Sequence, residues 1–218
     1  MPEQLYREDP DGMEAVIKAY ETFCRNAHTP HFARASNFAA WTPRTSIARF
    51  MASAEIFQHV LPIPGVIVEG GVGLGSGVYT WLHLSSILEM NNYTRRVIGF
   101  DLAPNELMFG ELLELQKFHD LTRPFGSLTK LELVKGDACE TMPQYVGDHP
   151  GLMVSLLMLD FTETKPTRIA LESFYPLMPR GGIVVAGGIF PEETAELPME
   201  LDWRRFPYCP TLIWARKI

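Results

Sequence analysis

The sequence predicts an α/β fold: a doubly wound, mostly parallel sheet of seven strands, with an antiparallel C-terminal hairpin and extra N-terminal helices. Three observations lead to this prediction. Short apolar runs alternate with helical patterns four or five times, which is typical of parallel sheets with crossover helices. Glycines or acids stand where most of these runs end. The alternation then breaks, and two short strand-like runs close the chain.

Two helices are expected before the first strand. Apolar residues recur at three- and four-residue steps over residues 11–25, which predicts an amphipathic helix. A second helix is predicted over residues 43–60, with Thr42 as its N-cap and a proline at its first position. Residues 28–40 show no clear period, so we expect a packed irregular connection. We expect a single domain over residues 1–218, on which residues 1–60 pack as a helical extension.

The first strand and the loop after it form the most informative stretch. Residues 66–77 read VIVEGGVGLGSG, with five glycines in the last eight positions. A strand covered on both faces has such an apolar run. The glycines allow a sharp turn into a helix and bring backbone N–H groups close to a ligand. Ser76 stands where the third glycine of GxGxxG would be, and no P-loop pattern is present. The acid Glu69 suits a cationic ligand such as S-adenosylmethionine; a tight turn without a ligand is the alternative.

The rest of the chain supplies the other elements in order. Helices are predicted over residues 76–90, 106–119 and 165–177, with a short helix through Tyr145; strands are predicted over residues 96–101, 131–135, 152–160 and 183–186. The final strand-like runs, 203–206 and 211–215, flank two prolines and predict the hairpin.

Acidic residues stand at four predicted strand ends: Glu69, Asp101, Asp137 and Asp160. The carboxyl ends of parallel strands meet at one rim, where ligands bind in such sheets. A carboxylate at Asp101 can accept from both hydroxyls of a ribose. Asp137, beside the small Ala138, can hold an exocyclic amine and leave room for a flat adenine ring. Each acid alone could be a helix cap, but four at one rim predict a ligand site.

Composition limits the classes of function. The chain has 218 residues, 46% of them hydrophobic, and a formal charge of −7, which argues against a nucleic-acid partner. Its three cysteines lack CxxC spacing and predict neither a disulfide framework nor a zinc site. The first residues are polar and acidic, and no apolar run approaches the length of a membrane span. We therefore expect a cytoplasmic protein without a membrane partner.

Several segments together resemble one enzyme family. They are WTPRTSIARF, PGVIVEGGVGLGSGVYTW, RRVIGFD, HDLTRP, LELVKGDACETMPQY, SLLMLDF, TKPTRIALESFYPLMPRGGIVV and RFPYCPTLIWA. From about Trp41 onward the chain resembles class I S-adenosylmethionine-dependent methyltransferases, and more narrowly the macrocin O-methyltransferase type of sugar methyltransferases. The resemblance implies a Rossmann-like fold, S-adenosyl-L-methionine as cofactor and a sugar-containing small-molecule acceptor.

The resemblance also implies roles for individual residues. Asp101 would hold the ribose of the cofactor, and Asp137 with Ala138 would hold the adenine. Asp160 would border the cofactor, and Ser76 is placed to add a hydroxyl or N–H contact. The methionine part would lie in a cradle formed by Glu69, Gly70, Gly71, Gly73 and Gly75.

The chain departs from the family pattern where that pattern holds a divalent cation. The family has further acids at the positions of Thr162, Gly187 and Gly188, so Asp160 alone is left. One carboxylate is a poor site for a hard cation, which takes about six oxygen ligands. We therefore predict no catalytic metal. Glu163 and Glu192, in nearby loops, are the acids that a metal would have to recruit.

Without a metal, a side chain must take the proton of the acceptor hydroxyl. Asp160 is the first candidate base, because it stands at the strand end nearest the transferred methyl group. His119 is the second, because the unperturbed pKa of histidine lies near working pH. The alternatives are that Asp160 caps the next helix and that His119 is a surface residue.

The leading prediction is an S-adenosylmethionine-dependent O-methyltransferase that acts on a hydroxyl of a sugar or glycosylated small molecule. The first alternative is a catalytically reduced homologue that binds the cofactor as a regulatory or assembly subunit. A nicotinamide-dependent oxidoreductase is disfavoured by the glycine spacing and by Glu69. Arg44 could bind the cofactor carboxylate. The aromatic residues Phe32, Phe38 and Trp41 could line an acceptor pocket or pack in the core, and the N-terminal helices could form a homodimer surface.

Overall fold

The computed structural model describes residues 10–89, 92, 94–101, 106–121, 130–187 and 201–218. These residues form two compact units that divide between Ile47 and Ala48. The first unit contains α1 (Pro10–Asn26), α2 (His31–Ser36), α3 (Phe38–Trp41) and the first turn of α4 (Arg44–Val60). The single domain with a packed extension stays a prediction.

Most of residues 28–40 belongs to the short helices α2 and α3, so the prediction of an irregular segment was wrong. Helices of six and four residues are too short to show a 3.6-residue period, which explains the error. Arg34 holds the segment together, because its guanidinium donates to backbone carbonyls of three residues: Cys24, Ala27 and Thr29. Trp41 stacks on Phe23 with 5.5 Å between ring centroids. By contrast, Phe32 and Phe38 are 83% and 56% exposed.

The second unit is built on a seven-stranded sheet. Its strands are β1 (Val66–Gly70), β2 (Val97–Asp101), β3 (Leu131–Lys135), β4 (Val154–Leu159), β5 (Ile183–Gly187), β6 (Arg204–Phe206) and β7 (Cys209–Arg216). The spatial order is β3-β2-β1-β4-β5-β7-β6. The first five strands pair in parallel, and β7 runs antiparallel to both β5 and β6. The predicted sheet and hairpin are confirmed.

Helices follow the strands as the pattern predicted, with ends shifted by a few residues. They are α5 (Ser76–Leu88), α6 (Glu106–Leu121), α7 (Ala138–Asp148), α8 (Thr164–Phe174) and a short 3₁₀ turn (Tyr175–Leu177). Alternate strand residues enter two apolar layers. One layer packs strand residues such as Ile67 and Leu156 with residues of α4 and α5. The other packs strand residues such as Val68 and Leu157 with residues of α7 and α8.

The sheet order sets where a ligand can approach. Strand β1 lies between β2 and β4, so the chain leaves β1 in one direction and returns to its other side two strands later. Such a switch point leaves a crevice at the carboxyl ends of the two central strands. Here those ends are Gly70 and Leu159, which are paired in register.

Candidate functional site

The loop from β1 to α5 is tight at both ends and open in the middle. Gly71, Gly73 and Gly75 have φ of 84°, 54° and 88°, a region that side chains rarely adopt. A Cβ on Gly71 would lie 2.5 Å from the backbone oxygen of Asp160, and one on Gly75 would lie 2.6 Å from Leu112. A Cβ on Gly73 would meet no described atom within 4 Å. As far as the described residues show, the loop leaves open space at Gly73.

Asp101 is tied to the middle of this loop. It is the last residue of β2, and its Oδ2 accepts a hydrogen bond of 2.6 Å from the backbone N–H of Gly73. The side chain is half-buried. A partly exposed carboxylate therefore lies beside the open part of the glycine loop, as the sequence predicted from two separate segments.

Asp160 follows β4 and lies at the other side of the loop. Its backbone N–H donates to the carbonyl of Gly70 at 2.8 Å. Its Oδ2 accepts a hydrogen bond of 2.5 Å from Nη2 of Arg49 in α4, and the two side chains are 30% and 27% exposed. Its Oδ1 lies over β5, because a Cβ on Gly187 would be 2.2 Å from that oxygen. The carboxylate is therefore held between a cation and a glycine.

Glu69 is directed at helix α5, not at the open crevice. The side chain is 1% exposed, and Oε2 accepts a hydrogen bond of 2.8 Å from Nε1 of Trp81. A Cβ on Gly77 would be 2.2 Å from its Oε1, so the carboxyl group fills the space beside the first turn of the helix. Burial is the largest cause that raises the pKa of Glu69 to about 8. Direct contact of Glu69 with a cofactor stays a prediction.

The strand ends bring these groups to one face of the sheet. Ile67, Val97, Met158 and Val185 pack in the layer that contains α4 and α5. Because side chains alternate along a strand, Glu69, Asp101, Asp160 and Gly187 belong to that same face. Three of the four acids that the sequence predicted at one rim, Glu69, Asp101 and Asp160, therefore lie on one face of the sheet.

Asp137 and Ala138 lie at the end of β3, where α7 begins. Asp137 is the N-cap of α7, and its Oδ1 accepts from the backbone N–H of Cys139 at 2.8 Å. The helix-cap alternative thus holds for Asp137, although its side chain stays exposed. Ala138 is 5% exposed. Ser76 is the exposed first residue of α5.

Other predicted positions contribute less to the described site. The side chain of His119, and all of Gly188 and Glu192, lie outside the described residues. Thr162 and Glu163 are exposed. Within the described ranges, no group of three or more His, Cys, Asp or Glu is placed to hold a metal ion. The absence of a catalytic metal stays a prediction.

Arg49 is the site residue that sequence reasoning missed. Arg44, the arginine that the sequence indicates for the cofactor carboxylate, is exposed and belongs to the first unit. The missed signal is periodicity: Arg49 stands three residues before buried Ala52 and seven before buried Ile56, so it continues the buried stripe of α4. A charged residue in such a stripe calls for a partner, and here the partner is Asp160.

Comparison with known proteins shows the fold. Neither a protein-family model nor a curated protein matches the sequence. An apo structure of CalS11, a TDP-rhamnose 3'-O-methyltransferase of calicheamicin biosynthesis, matches with a TM-score of 0.85 and 24% identity over 96% of both chains. A second CalS11 structure matches with a TM-score of 0.84 and 24% identity, over 96% of this chain and 94% of that one. The O-methyltransferase NovP matches with a TM-score of 0.58 and 14% identity, over 78% of this chain and 80% of that one. The fold of the chain is that of these methyltransferases.

No helix in the described ranges is long and apolar enough to cross a membrane.

Proposed function

We propose that this chain is an S-adenosylmethionine-dependent O-methyltransferase that acts on a hydroxyl of a sugar or glycosylated small molecule. The observation that carries the proposal is the pairing of Asp101 with Gly73 across an open glycine loop. The likeness in fold to CalS11 and NovP supports it. TDP-rhamnose, the sugar nucleotide for which CalS11 is named, is the first acceptor to test.

The residues of the loop fit the proposed cofactor. A Cβ at Gly73 would enter the open space, so a glycine there leaves room for a ligand close to the backbone. Asp101 offers a carboxylate to the ribose hydroxyls beside that space. We assign the adenine to Asp137 and Ala138, the methionine part to Gly70, Gly71, Gly73 and Gly75, and a supporting contact to Ser76. Glu69 fixes the first turn of α5, and its contact with the methionine part stays in the proposal.

The reaction needs little from the protein besides orientation and removal of a proton. When bound, S-adenosylmethionine supplies a methyl group attached to a positively charged sulfonium. The sulfur is the leaving atom: it keeps the electron pair of the bond and becomes a neutral thioether. The chain has to hold the acceptor oxygen in line with that methyl group. We assign Asp160 as the base that accepts the proton of the acceptor hydroxyl, because it stands at the carboxyl end of β4 beside the glycine loop. His119 stays the second candidate base.

Calorimetry with S-adenosylhomocysteine tests the cofactor assignment. The wild type should bind this product, and Asp101→Ala should weaken binding by at least about tenfold, or 1.4 kcal/mol. Asp148→Ala is the matched control, because Asp148 is an exposed acid at the far end of α7 and should leave the affinity unchanged. Binding of NADH in place of S-adenosylhomocysteine would overturn the proposal.

Turnover tests the reaction itself. Wild-type protein should methylate TDP-rhamnose or a related deoxysugar acceptor, and a chelator should leave the rate unchanged if no metal takes part. Strong inhibition by the chelator would contradict the metal-free prediction. Tight cofactor binding without transfer to any acceptor would favour the regulatory alternative.

Three further assignments belong to the same proposal. The acidic balance of the chain, with a formal charge of −7, supports the absence of a nucleic-acid partner. We also infer a cytoplasmic location and a homodimer. Light scattering at several concentrations would test the homodimer.

A further inference from the structure

The ion pair between Arg49 and Asp160 lies inside the candidate site. The backbone N–H of Asp160 donates to the carbonyl of Gly70. The backbone oxygen of Asp160 lies 2.5 Å from the position that a Cβ on Gly71 would take. The pair is therefore adjacent to the glycine loop assigned to the cofactor. Both side chains are partly exposed, so a small molecule can reach them.

Arg49 has capacity beyond its bond to Asp160. A guanidinium carries five N–H donors in a planar fork and keeps its charge at every physiological pH. Among the described residues, Asp160 is the hydrogen-bond partner of Arg49, through Nη2. A second oxygen can therefore bind the same guanidinium beside the carboxylate.

The geometry around Asp160 favours a side-chain cation at this place. One carboxylate is a poor site for a hard metal ion, which takes about six oxygen ligands. Thr162 and Gly187 carry no carboxylate, and any side chain at 187 would collide with Oδ1 of Asp160 as it is now held. Among the described residues, the cation paired with Asp160 is Arg49.

We propose that Arg49 is the cationic group of the acceptor site: it fixes the carboxylate of Asp160 and donates an N–H to the acceptor oxygen. This inference rests on the proposed function. As the acceptor oxygen bonds to the methyl carbon, the carbon–sulfur bond breaks and its electron pair stays on sulfur. The hydroxyl proton passes to Asp160 and then to water, while Arg49 stays protonated. Arg49 thus stabilises the negative charge that develops on the oxygen.

A set of Arg49 variants tests the role in catalysis. Arg49→Met should lower kcat for TDP-rhamnose by about 100-fold and change KM by no more than about threefold, because the contact strengthens in the transition state. Arg49→Lys keeps a charge and should recover about a tenth of the wild-type kcat. The control Arg168→Met removes an exposed arginine of α8 and should change neither constant. An unchanged kcat in Arg49→Met would overturn the inference.

Two binding measurements separate this inference from the proposed function. S-adenosylhomocysteine should bind wild type and Arg49→Met within about threefold of each other, since Arg49 serves the acceptor. If the wild type does not bind S-adenosylhomocysteine, the proposed function is wrong. If only Arg49→Met fails to bind it, Arg49 belongs to the cofactor site and the inference is wrong. Electron paramagnetic resonance with Mn²⁺ provides a readout that needs no acceptor. Wild type should retain no more Mn²⁺ than Asp160→Asn. Stoichiometric Mn²⁺ binding that Asp160→Asn abolishes would show that a metal occupies the place assigned to Arg49.

Discussion

At the scale of single residues, Glu69 is buried as an acid among charged neighbours. Burial is the main cause of its raised pKa of about 8, and the charge of Asp160 adds to it. The charge of Arg49 and the hydrogen bonds from Trp81 and Val78 act in the opposite direction. A carboxyl group with a raised pKa binds more protons in the folded chain than in the unfolded chain. Its contribution to stability is therefore complete below the unfolded pKa and is lost as pH rises through the folded pKa.

The variant Glu69→Gln should remove this pH dependence. Between about pH 5 and 8 the free energy of unfolding of the wild type should fall by a few kcal/mol on account of Glu69. Glutamine keeps an oxygen that accepts the hydrogen bond from Trp81 but does not ionise. The free energy of unfolding of the variant should therefore fall by less over the same pH range. Urea unfolding at three pH values compares the two proteins. Parallel pH profiles would mean that Glu69 is ionised in the folded chain throughout.

Gly71 and Gly73 should separate stability from binding. Alanine at either position adopts a strained left-handed φ, at a cost of about 1 to 2 kcal/mol. In Gly71→Ala the new Cβ also meets the backbone of Asp160, so we expect a loss of at least about 2 kcal/mol in unfolding free energy. In Gly73→Ala it points into open space, so affinity for S-adenosylhomocysteine should fall by about tenfold or more.

Urea unfolding and calorimetry on both variants check this pair of expectations. Gly71→Ala should be the less stable protein, and Gly73→Ala should be the weaker binder among molecules that are still folded. Equal affinities for S-adenosylhomocysteine in wild type and Gly73→Ala would remove the open space of the loop from the cofactor site.

The sequence predicted the positions of the site residues better than their directions. The positions of Asp101 and Asp160 were predictable because the carboxyl ends of parallel strands meet at one edge of the sheet, independently of loop structure. Glu69 ends β1 at the same rim, but it shares a strand face with Ile67, and that face packs against α5. The periodicity of α4 indicates that Arg49 is turned inward, but its partner Asp160 is 111 residues away, and no local pattern identifies such a partner.

At the scale of elements, a buried arginine joins the end of α4 to the sheet. Arg95 is 3% exposed, and its Nε donates to Glu89 at 2.6 Å. The other guanidinium nitrogens donate to the Ser155 hydroxyl and to the carbonyls of Val60, Leu61, Ile63 and Gly65. These carbonyls include the last of α4, which lack partners within the helix. One side chain thus fixes the chain between α4 and β1.

Arg95 and Arg96 should differ sharply although they are neighbours. Arg95→Met breaks a buried ion pair and leaves Glu89 without its partner, so unfolding free energy should fall by about 3 to 5 kcal/mol. Arg96→Met removes a half-exposed pair with Glu132, and the loss should be at most about 1 kcal/mol. Urea denaturation of both variants measures the difference. Similar losses would show that the carbonyl contacts of Arg95 add little.

Sequence alone could not separate these two arginines. Both precede the second strand, and composition presents them as one short basic pair. They differ in their partners: Arg95 donates to carbonyls between α4 and β1, whereas Arg96 pairs with Glu132 on β3. These partners are distant in sequence, so a local pattern does not contain them.

At the scale of the whole molecule, the order of the strands predicts where the sheet resists opening. β1 and β4 lie near the middle of the seven-stranded sheet and pair with each other. β6 is an edge strand of three residues, with a register shift between Arg205 and Phe206. Hydrogen exchange should therefore be slowest in β1 and β4 and fastest, among the strands, in β6. Exchange measured by mass spectrometry on proteolytic peptides checks this order. Protection of β6 equal to that of β4 would contradict it.

The topology itself was predictable because it follows from alternation. Successive βα units with right-handed crossovers permit few arrangements, and two closing runs around prolines favour a hairpin. The position of β7 between β5 and β6 was not predictable, since the hairpin could equally have joined the sheet through its first strand. The pairing of Gly187 with Leu212 shows that β7, the second strand of the hairpin, is the one that pairs with β5.

The pairing of β1 with β4 also sets an order of assembly during synthesis. β1, β2 and β3 leave the ribosome before the other strands and can form three neighbouring strands of the seven-stranded sheet. Asp160 and Gly187 arrive only with β4 and β5, so Arg49 lacks its partner Asp160 at that stage. A nascent chain that stops before β4 therefore has an unfinished site and an open strand edge, which exposes it to aggregation. Ligand binding can stabilise only chains that have been completed, and so favours finished molecules over fragments.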